Sequence, residues 1–217
     1  ALDDRLGDVI DIGANIGVVS ASIAKHIQGK GRVHAFEASP STLKIAAATL
    51  ALNGVRNFTL TFSAVAAEDK SMQFHTTPGN SAISSLTKHD FHLLNEWKPV
   101  EVPCRRLDTF AGLLGWDNLA LIKIDVEGHE MDVFRGARET ISEKKPVLVF
   151  EFTPSATSAF GWKEADFVSL LADYTPFDFD ALVEPSLYGG DVVMRRVCFP
   201  LPDGMDEQVN VFATPRL

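Results

Sequence analysis

The sequence is poor in cysteine and contains no cluster of basic residues. Only Cys104 and Cys198 occur among 217 residues, and their separation is not one that metal-binding motifs use. We interpret them as reduced thiols of a cytoplasmic protein. Lysine and arginine number 20 against 29 acidic residues, which gives a net charge of -9. The composition therefore argues against a nucleic acid or an anionic membrane surface as a partner.

The sequence also has no apolar run long enough for a membrane span and no signal-peptide pattern, so we expect a cytoplasmic protein with no membrane partner. Hydrophobic residues make up 46% of the chain, enough for the core of a single domain over residues 1–217. Only a few residues precede the first predicted strand. The chain is therefore expected to be a bare catalytic core or part of a longer protein. Composition leaves the oligomeric state open.

The dinucleotide fingerprint G-x-G-x-x-G is missing from the first strand–turn–helix segment. That segment reads D-I-G-A-N-I-G from Asp11, so Asn15 and Val18 stand where the second and third glycines would fall. The second glycine normally lets a pyrophosphate approach the backbone. Gly13 and Gly17 still bracket a tight turn between a buried strand and a helix start. The segment therefore predicts a nucleotide-type binding site where the strand meets the helix. Its turn suits a ligand without a phosphate group, because such a ligand does not need the second glycine.

Short apolar runs alternate with helical patterns, which predicts a doubly wound α/β sheet. The seven predicted core strands lie at 8–12, 32–37, 58–62, 119–125, 146–152, 174–179 and 209–214. Numbered along the chain, their expected spatial order is 3-2-1-4-5-7-6, with the last strand antiparallel. Residues 72–75 and 100–105 are predicted to form a small antiparallel addition, and 192–199 an extra strand.

Helical periodicity predicts which side chains face the core. The expected inner faces are Val19, Ile23 and Ile27 in the first helix, and Leu43, Ala47 and Leu50 in the second. Ser39 is predicted to cap the second helix, with Pro40 at its first position. After the fourth strand, one continuous helix is expected as far as about Ile141.

Two carboxylates near the glycine turn are candidate ligands. Glu37 ends the second predicted strand, 20 residues after Gly17, where a carboxylate can accept both hydroxyls of an adenosine ribose. NAD enzymes use the same device, so Glu37 favours an adenosine ligand without choosing the cofactor. Asp11 could help to hold an ammonium group or could satisfy amides of the turn. The backbone amides at the helix start suit a carboxylate.

The most specific pattern is I-K-I-D-V-E-G-H-E at 122–130, which we call the acidic string. It places Asp125, Glu127, His129 and Glu130 at the carboxyl edge of a central strand, where ligands of open α/β sheets bind. Glu130 would also suit the start of the following helix, and His129 is compatible with a solvent-facing loop. Asp125 is the hardest to explain by packing, because it closes an apolar strand.

The D-x-G-x-x-x-G turn, Leu107-Asp108-Thr109, the acidic string and Asn210-Val211-Phe212-Ala213 together resemble the FkbM-type methyltransferases over nearly the whole chain. The resemblance implies a Rossmann-like class I methyltransferase fold with S-adenosylmethionine as cofactor. It further implies methyl transfer to a small-molecule acceptor, usually a hydroxyl of a sugar, polyketide or similar metabolite. The expected cofactor-binding residues are Asp11, Gly13, Ala14, Asn15, Gly17, Glu37, Ala38, Ser63, Ala64, Ser84, Ser85 and Asp125.

Chemistry is expected at Asp125, Glu127 and His129. Methyl transfer is an in-line displacement from a sulfonium, so positioning supplies much of the rate. A hydroxyl acceptor also needs a group to take its proton. His129 is slightly favoured for proton acceptance at neutral pH, while Glu127 belongs more firmly to the family string. Glu151, at the end of the fifth strand, is a candidate for binding the acceptor.

Three other hypotheses remain. His89 and His92, three apart on a helix, could ligate a metal, but no further ligand set is evident, so no metal site is predicted. A nicotinamide-dependent oxidoreductase could use a similar sheet, but it predicts two glycines that are absent and leaves the acidic string unexplained. A non-catalytic domain that retains a nucleoside site is the third possibility.

Overall fold

The computed structural model describes residues 7–76, 98–116, 118–153, 158, 160–178, 195–196 and 209–216. Its strands are β1 (Asp8–Ile12), β2 (Val33–Glu37), β3 (Phe58–Phe62), β4 (Ala64–Val65), β5 (Lys70–Thr76), β6 (Lys98–Arg105), β7 (Leu119–Ile124), β8 (Val147–Phe152), β9 (Tyr174–Asp178), β10 (Arg195–Arg196) and β11 (Val209–Pro215). Its helices are α1 (Val18–His26), α2 (Pro40–Leu52), α3 (Leu107–Leu114), α4 (Glu130–Gly136), α5 (Arg138–Lys144) and α6 (Glu164–Leu170).

The large sheet has the order β10-β9-β11-β8-β7-β1-β2-β3. Read from β3, its first seven strands follow the predicted order 3-2-1-4-5-7-6. Strands β3, β2, β1, β7 and β8 run parallel, and β11 runs antiparallel to both β8 and β9. The structure adds β10 antiparallel to β9, and these two residues are the described part of the predicted extra strand at 192–199.

The predicted antiparallel addition is present as a second sheet. Strands β5 and β6 pair with Met72 opposite Val102, over a longer stretch than expected. The sequence did not predict β4, which joins β6 in parallel with Ala64 opposite Cys104. Cys104 is a free, buried thiol in the small core of this sheet, and Cys198 lies outside the described residues.

The inner faces of α1 and α2 agree with the prediction in part. Ile27 and Leu50 are buried and Ile23 packs against the core, whereas Val19 and Ala47 are exposed. An ideal Cβ at Gly17 would lie 3.1 Å from the Ala46 Cα, so the start of α1 comes close to α2. Small side chains therefore occupy the contact, and Val19 is 43% exposed. The buried positions are Ser20, Ala21 and Ala24 in α1, and Thr42, Ala46 and Leu50 in α2. Ser39 caps α2 as predicted, accepting from the Thr42 amide.

The helix expected after β7 is interrupted at Ala137, so α4 and α5 are separate. A Cβ at Gly136 would lie 2.0 Å from the Ala66 backbone oxygen, which shows how closely α4 approaches the small sheet. The first amides of α5 then need other partners. Asp108 on α3 supplies them: its Oδ1 accepts from Thr140 N at 2.9 Å and from Thr140 Oγ1 at 2.8 Å. Asp108 is thus a structural residue.

An aromatic cluster packs β8 against α4 and α6. Phe134 meets Phe150 edge-on with ring centroids 5.0 Å apart, and Phe152 meets Phe167 in the same way at 4.7 Å. Such pairs favour one geometry as well as burying area. The cluster therefore fixes β8, which carries Glu151, and α4, which begins at the last residue of the acidic string. Among the helices of the described ranges, none combines the length and apolarity that a membrane span requires.

Candidate active site

The candidate site lies at the carboxyl ends of β1, β2, β7 and β8, which are neighbours in the sheet. The glycine turn follows β1, Glu37 ends β2, the acidic string follows β7, and Glu151 lies near the end of β8. Parallel strands bring their carboxyl ends to one edge, so residues from four distant segments meet there. The structure thus brings the glycine turn, Glu37, the acidic string and Glu151 to one edge of the sheet.

Gly13 joins the glycine turn to the acidic string. It has φ +77°, and an ideal Cβ there would lie 1.8 Å from the backbone oxygen of Asp125. The Asp125 amide donates to the Ile12 carbonyl at 3.0 Å. The amides of Gly13 and Ala14 both donate to the Phe36 carbonyl, at 3.1 and 3.0 Å. Only glycine allows this approach, because any side chain would separate the two strand ends.

Glu37 closes the turn from the other side. Its Oε2 accepts from the Asn15 amide at 2.8 Å, and its Oε1 accepts from the Ser39 amide at 2.7 Å. Burial raises the pKa of Glu37, and these backbone hydrogen bonds oppose the rise. Asn15 has φ +50°, a conformation that asparagine tolerates better than most residues. Each carboxylate oxygen has a second lone pair, so Glu37 can still accept hydroxyls of a ligand.

Asp11 and Asp125 share the ammonium group of Lys123. The Lys123 Nζ lies 3.2 Å from Asp11 Oδ1 and 3.2 Å from Asp125 Oδ2, while Ser20 Oγ donates to Asp11 Oδ2. The Asp11 side chain is fully buried, whereas that of Asp125 is 45% exposed. Burial alone would lower the pKa of Lys123, but the charges of Asp11 and Asp125 outweigh it and raise that pKa. Lys123 therefore stays charged at neutral pH.

Glu127 has the most unusual backbone and charge environment at this edge. It adopts φ +55° and is followed by Gly128 at φ +96°, and such strain in a non-glycine residue is typical of functional sites. The residue reaches solvent, yet protein atoms and three other carboxylates surround its own carboxylate. Partial burial, followed by the charges of Glu151, Asp125 and Glu130, raises the pKa of Glu127 to about 7.

Glu130 and His129 face inward. Glu130 Oε1 accepts from the amides of Val126 and Gly128, each at 3.2 Å, and burial raises its pKa to about 7. Glu130 therefore holds the loop that carries Glu127. His129 is 8% exposed, with Nδ1 3.3 Å from Asp132 Oδ2. Its ring centroid lies 4.4 Å from that of Phe160. His129 is thus packed into the loop, not solvent-facing.

The remaining predicted residues occupy different environments. Ser63 Oγ donates to the carbonyls of Ala64 (2.7 Å) and Pro103 (3.0 Å), so this hydroxyl ties the small sheet to the end of β3. Ala38 packs against the core of that sheet. Glu151 is half-buried and accepts from Thr153 Oγ1 at 3.2 Å. Outside the described residues lie Ser84, Ser85, His89 and His92.

Within the described part of the chain, no group of three or more His, Cys, Asp and Glu side chains is arranged to hold a metal ion. Sequence reasoning gave no role to Lys123 or Ser20. The signal for Lys123 was present, because a lysine inside an apolar strand covered on both faces is unusual. Ser20 carried no comparable signal, because its partner Asp11 is evident only from the fold.

The Rossmann-like sheet and its acidic edge define a class I methyltransferase fold. The family model described as "Methyltransferase FkbM domain" matches residues 11–181, so the chain belongs to the FkbM methyltransferase family. That match covers every described site residue named above.

Two curated relatives agree with the family. "Methyltransferase 1" of Beauveria bassiana (strain ARSEF 2860) is 29% identical over 143 residues, covering 59% of this chain and 57% of that protein. "2-O-methyltransferase NoeI" of Sinorhizobium fredii (strain NBRC 101917 / NGR234) is 25% identical over 149 residues, covering 63% of this chain and 60% of that protein. The alignments thus span less than two thirds of either relative.

The fold is shared with the Streptococcus mutans protein SMU.1697c, which was solved in complex with SAH. The TM-score is 0.51 at 8% sequence identity, over 99% of this chain and 93% of that one. At this identity the likeness concerns the fold alone.

Proposed function

We propose that this protein transfers a methyl group from S-adenosylmethionine to a hydroxyl of a small metabolite. The observation that carries the proposal is the contact between the Gly13 turn and Asp125, which joins a cofactor-type corner to an acidic, solvent-open strand end. Membership of the FkbM family supports methyl transfer.

The chemistry of the donors at the corner fits S-adenosylmethionine. Gly17 begins α1 without a side-chain cap, and no acidic residue occupies the first turn, so these amides suit the carboxylate of the cofactor. Glu37 is placed for the ribose hydroxyls. Asn15 occupies the position at which a dinucleotide site has a glycine, so that the pyrophosphate can approach the backbone. Its backbone amide also donates a hydrogen bond to Glu37. Both features disfavour a nicotinamide-dependent oxidoreductase.

Glu127 is the better candidate for accepting the proton of the hydroxyl. A general base works best when its pKa lies near the working pH, and the pKa of Glu127 is raised to about 7. Its side chain is exposed at the strand end, whereas His129 is packed under Phe160. His129 is therefore assigned to holding the loop, together with Glu130. Glu151 is close enough to influence Glu127 electrostatically and is a candidate acceptor ligand.

A small hydroxyl compound is the acceptor class that these features favour. The net charge of -9 and the acidic edge disfavour a polyanion such as nucleic acid. The name of the 2-O-methyltransferase relative supports a hydroxyl as the methylated group. In this proposal S-adenosylmethionine supplies the electrophilic methyl group, and the protein orients the acceptor and removes its proton.

Thermal denaturation with S-adenosylhomocysteine, NAD and ATP in parallel tests the cofactor assignment. A ligand present at about 100 times its dissociation constant stabilises the folded state by ~2.7 kcal/mol. We expect such a shift with S-adenosylhomocysteine alone. A shift with NAD alone would overturn the proposal. Incubation of the protein with methyl-labelled S-adenosylmethionine and metabolite extracts then separates an enzyme, which labels an acceptor, from a non-catalytic binding domain.

Glu37→Ala should weaken S-adenosylhomocysteine binding by roughly 1–3 kcal/mol, because charge-assisted hydrogen bonds to the ribose and to the Asn15 amide are lost. Glu37→Gln keeps one acceptor oxygen and should give an intermediate loss. Isothermal titration calorimetry measures both, with Glu143→Ala on the exposed side of α5 as the control. Unchanged affinity in Glu37→Ala would mean that the ribose is held elsewhere.

A further inference from the structure

Lys123 is a largely buried cation on a central strand of the sheet, with a side-chain exposure of 17%. Strand β7 lies between β1 and β8, and its neighbours Ile122 and Ile124 are 0% and 1% exposed. Side chains alternate along a strand, so Lys123 points to the opposite face from these isoleucines. A central parallel strand ordinarily carries apolar residues on both faces, because an ammonium group is costly to desolvate. The lysine therefore needs a compensating contact.

Strand register supplies that contact. Asp11 on β1 is paired with Lys123 on β7, and Asp125 follows two residues later, so all three side chains start on one face. The Lys123 Nζ lies 3.2 Å from one oxygen of each carboxylate. Asp11 is fully buried and accepts a hydrogen bond from Ser20, so its position is fixed and it holds the Lys123 ammonium group in place.

The charges of this trio are unequal in their access to solvent. Two carboxylates and one ammonium leave one net negative charge. Asp11 and Lys123 have side-chain exposures of 0% and 17%, whereas Asp125 is 45% exposed. The remaining charge therefore lies at the strand end, where the Asp125 backbone touches Gly13. An anion held beside the cofactor turn is complementary to a cation on the ligand.

We propose that Lys123 is a positioning residue that fixes the Asp125 carboxylate to receive the ammonium of the cofactor's amino-acid end. This inference rests on the proposed function. Without Lys123, the Asp125 side chain would have no anchor on β7, and Asp11 would be left as a buried carboxylate without its cation. Lys123 would act only through Asp125 and would not touch the ligand.

The test compares two ligands that share an adenosine moiety. S-adenosylhomocysteine carries the amino-acid end, and 5′-methylthioadenosine lacks it. Lys123→Met should bind S-adenosylhomocysteine at least tenfold more weakly and 5′-methylthioadenosine within twofold of the wild type. Lys123→Arg, which can still pair with both carboxylates, should restore part of the loss. Calorimetric titration of both ligands gives these ratios directly.

Three further variants guard the test against misfolding and check that Lys123 acts through Asp125. Asp11→Asn combined with Lys123→Met removes the unpaired buried charge while keeping the net charge of the trio, and it should show the same ligand selectivity. Asp125→Asn should lose the same factor for S-adenosylhomocysteine, and adding Lys123→Met to it should weaken binding no further.

The outcomes separate the inference from the proposed function. If the wild type binds neither adenosine ligand, the proposed function fails. If the wild type binds both, but the Lys123 variants bind both normally or lose both equally, the positioning role is wrong. An equal loss would mean that Lys123 only supports the fold, since a distorted turn would affect the shared adenosine moiety. Selective loss of the amino-acid ligand, with rescue by arginine, supports the inference.

Discussion

Glu127→Gln is expected to slow methyl transfer by ~10²–10⁴-fold while leaving cofactor affinity nearly unchanged. The substitution keeps the size and polarity of the side chain but removes its ability to accept a proton. Glu127 is exposed at the strand end, and its φ of +55° is retained by a residue of the same shape. Single-turnover transfer from labelled S-adenosylmethionine to the acceptor found in extracts measures the rate, and calorimetry with S-adenosylhomocysteine measures the affinity.

The pH profile provides a second check on Glu127. A base must be ionised to accept a proton, so the wild-type rate should reach half its maximum near pH 7, the raised pKa of Glu127, and level off above it. Glu130 has a similar pKa, raised mainly by burial, and it contacts the same loop. Glu130→Gln keeps the oxygen that accepts from Val126 and Gly128, so it should retain the rising limb. Glu127→Gln should lose it.

Two other variants sharpen the assignment. His129→Ala should lower stability more than it lowers the rate at saturating ligands, because the ring is packed against Phe160 and lies near Asp132. Glu143→Gln, exposed on α5, should change neither quantity. If Glu127→Gln transfers methyl groups at the wild-type rate while His129→Ala does not, the base is His129.

The sequence predicted the fold because its signals are strong and local. The apolar run of β1, the turn at Gly13 and the string ending β7 each specify a strand that stops at the same sheet edge. The order of the seven predicted strands then followed from the alternation of strands and helices, which leaves few right-handed, parallel arrangements. The pairing of β5 with β6 followed from two alternating segments, and it too is present.

The parts that the sequence did not predict depend on distances between elements. Periodicity favoured Val19 as a core residue, but the close approach of Gly17 to Ala46 selected small side chains instead. The break at Ala137 is likewise linked to the contact of Gly136 with the small sheet. Within the candidate site, the choice of Glu127 or His129 as the general base depends on solvent exposure and on neighbouring charges. Neither can be read from the sequence alone. The same holds for the ion pairs of Lys123.

Gly13→Ala is expected to abolish cofactor binding, with at least a hundredfold loss of affinity for S-adenosylhomocysteine. Alanine is strained at φ +77°, and its Cβ would start 1.8 Å from the Asp125 backbone oxygen. A backbone atom cannot swing away as a side chain can, so the turn and the end of β7 must separate. That movement displaces the Ala14 and Asn15 amides from Phe36 and Glu37 and moves Asp125 from its place.

Gly29→Ala is the matched control for this prediction. Gly29 has φ +81°, so alanine carries the same backbone strain of roughly 1–2 kcal/mol, but no atom lies within 4 Å of its ideal Cβ. For a chain of this size that strain corresponds to a fall in melting temperature of about 2–8 °C. Gly29→Ala should show this fall and bind S-adenosylhomocysteine normally. Gly13→Ala should show a larger fall together with the loss of binding. If the two variants behave alike, Gly13 is required only for its backbone conformation, and the contact with Asp125 does not organise the site.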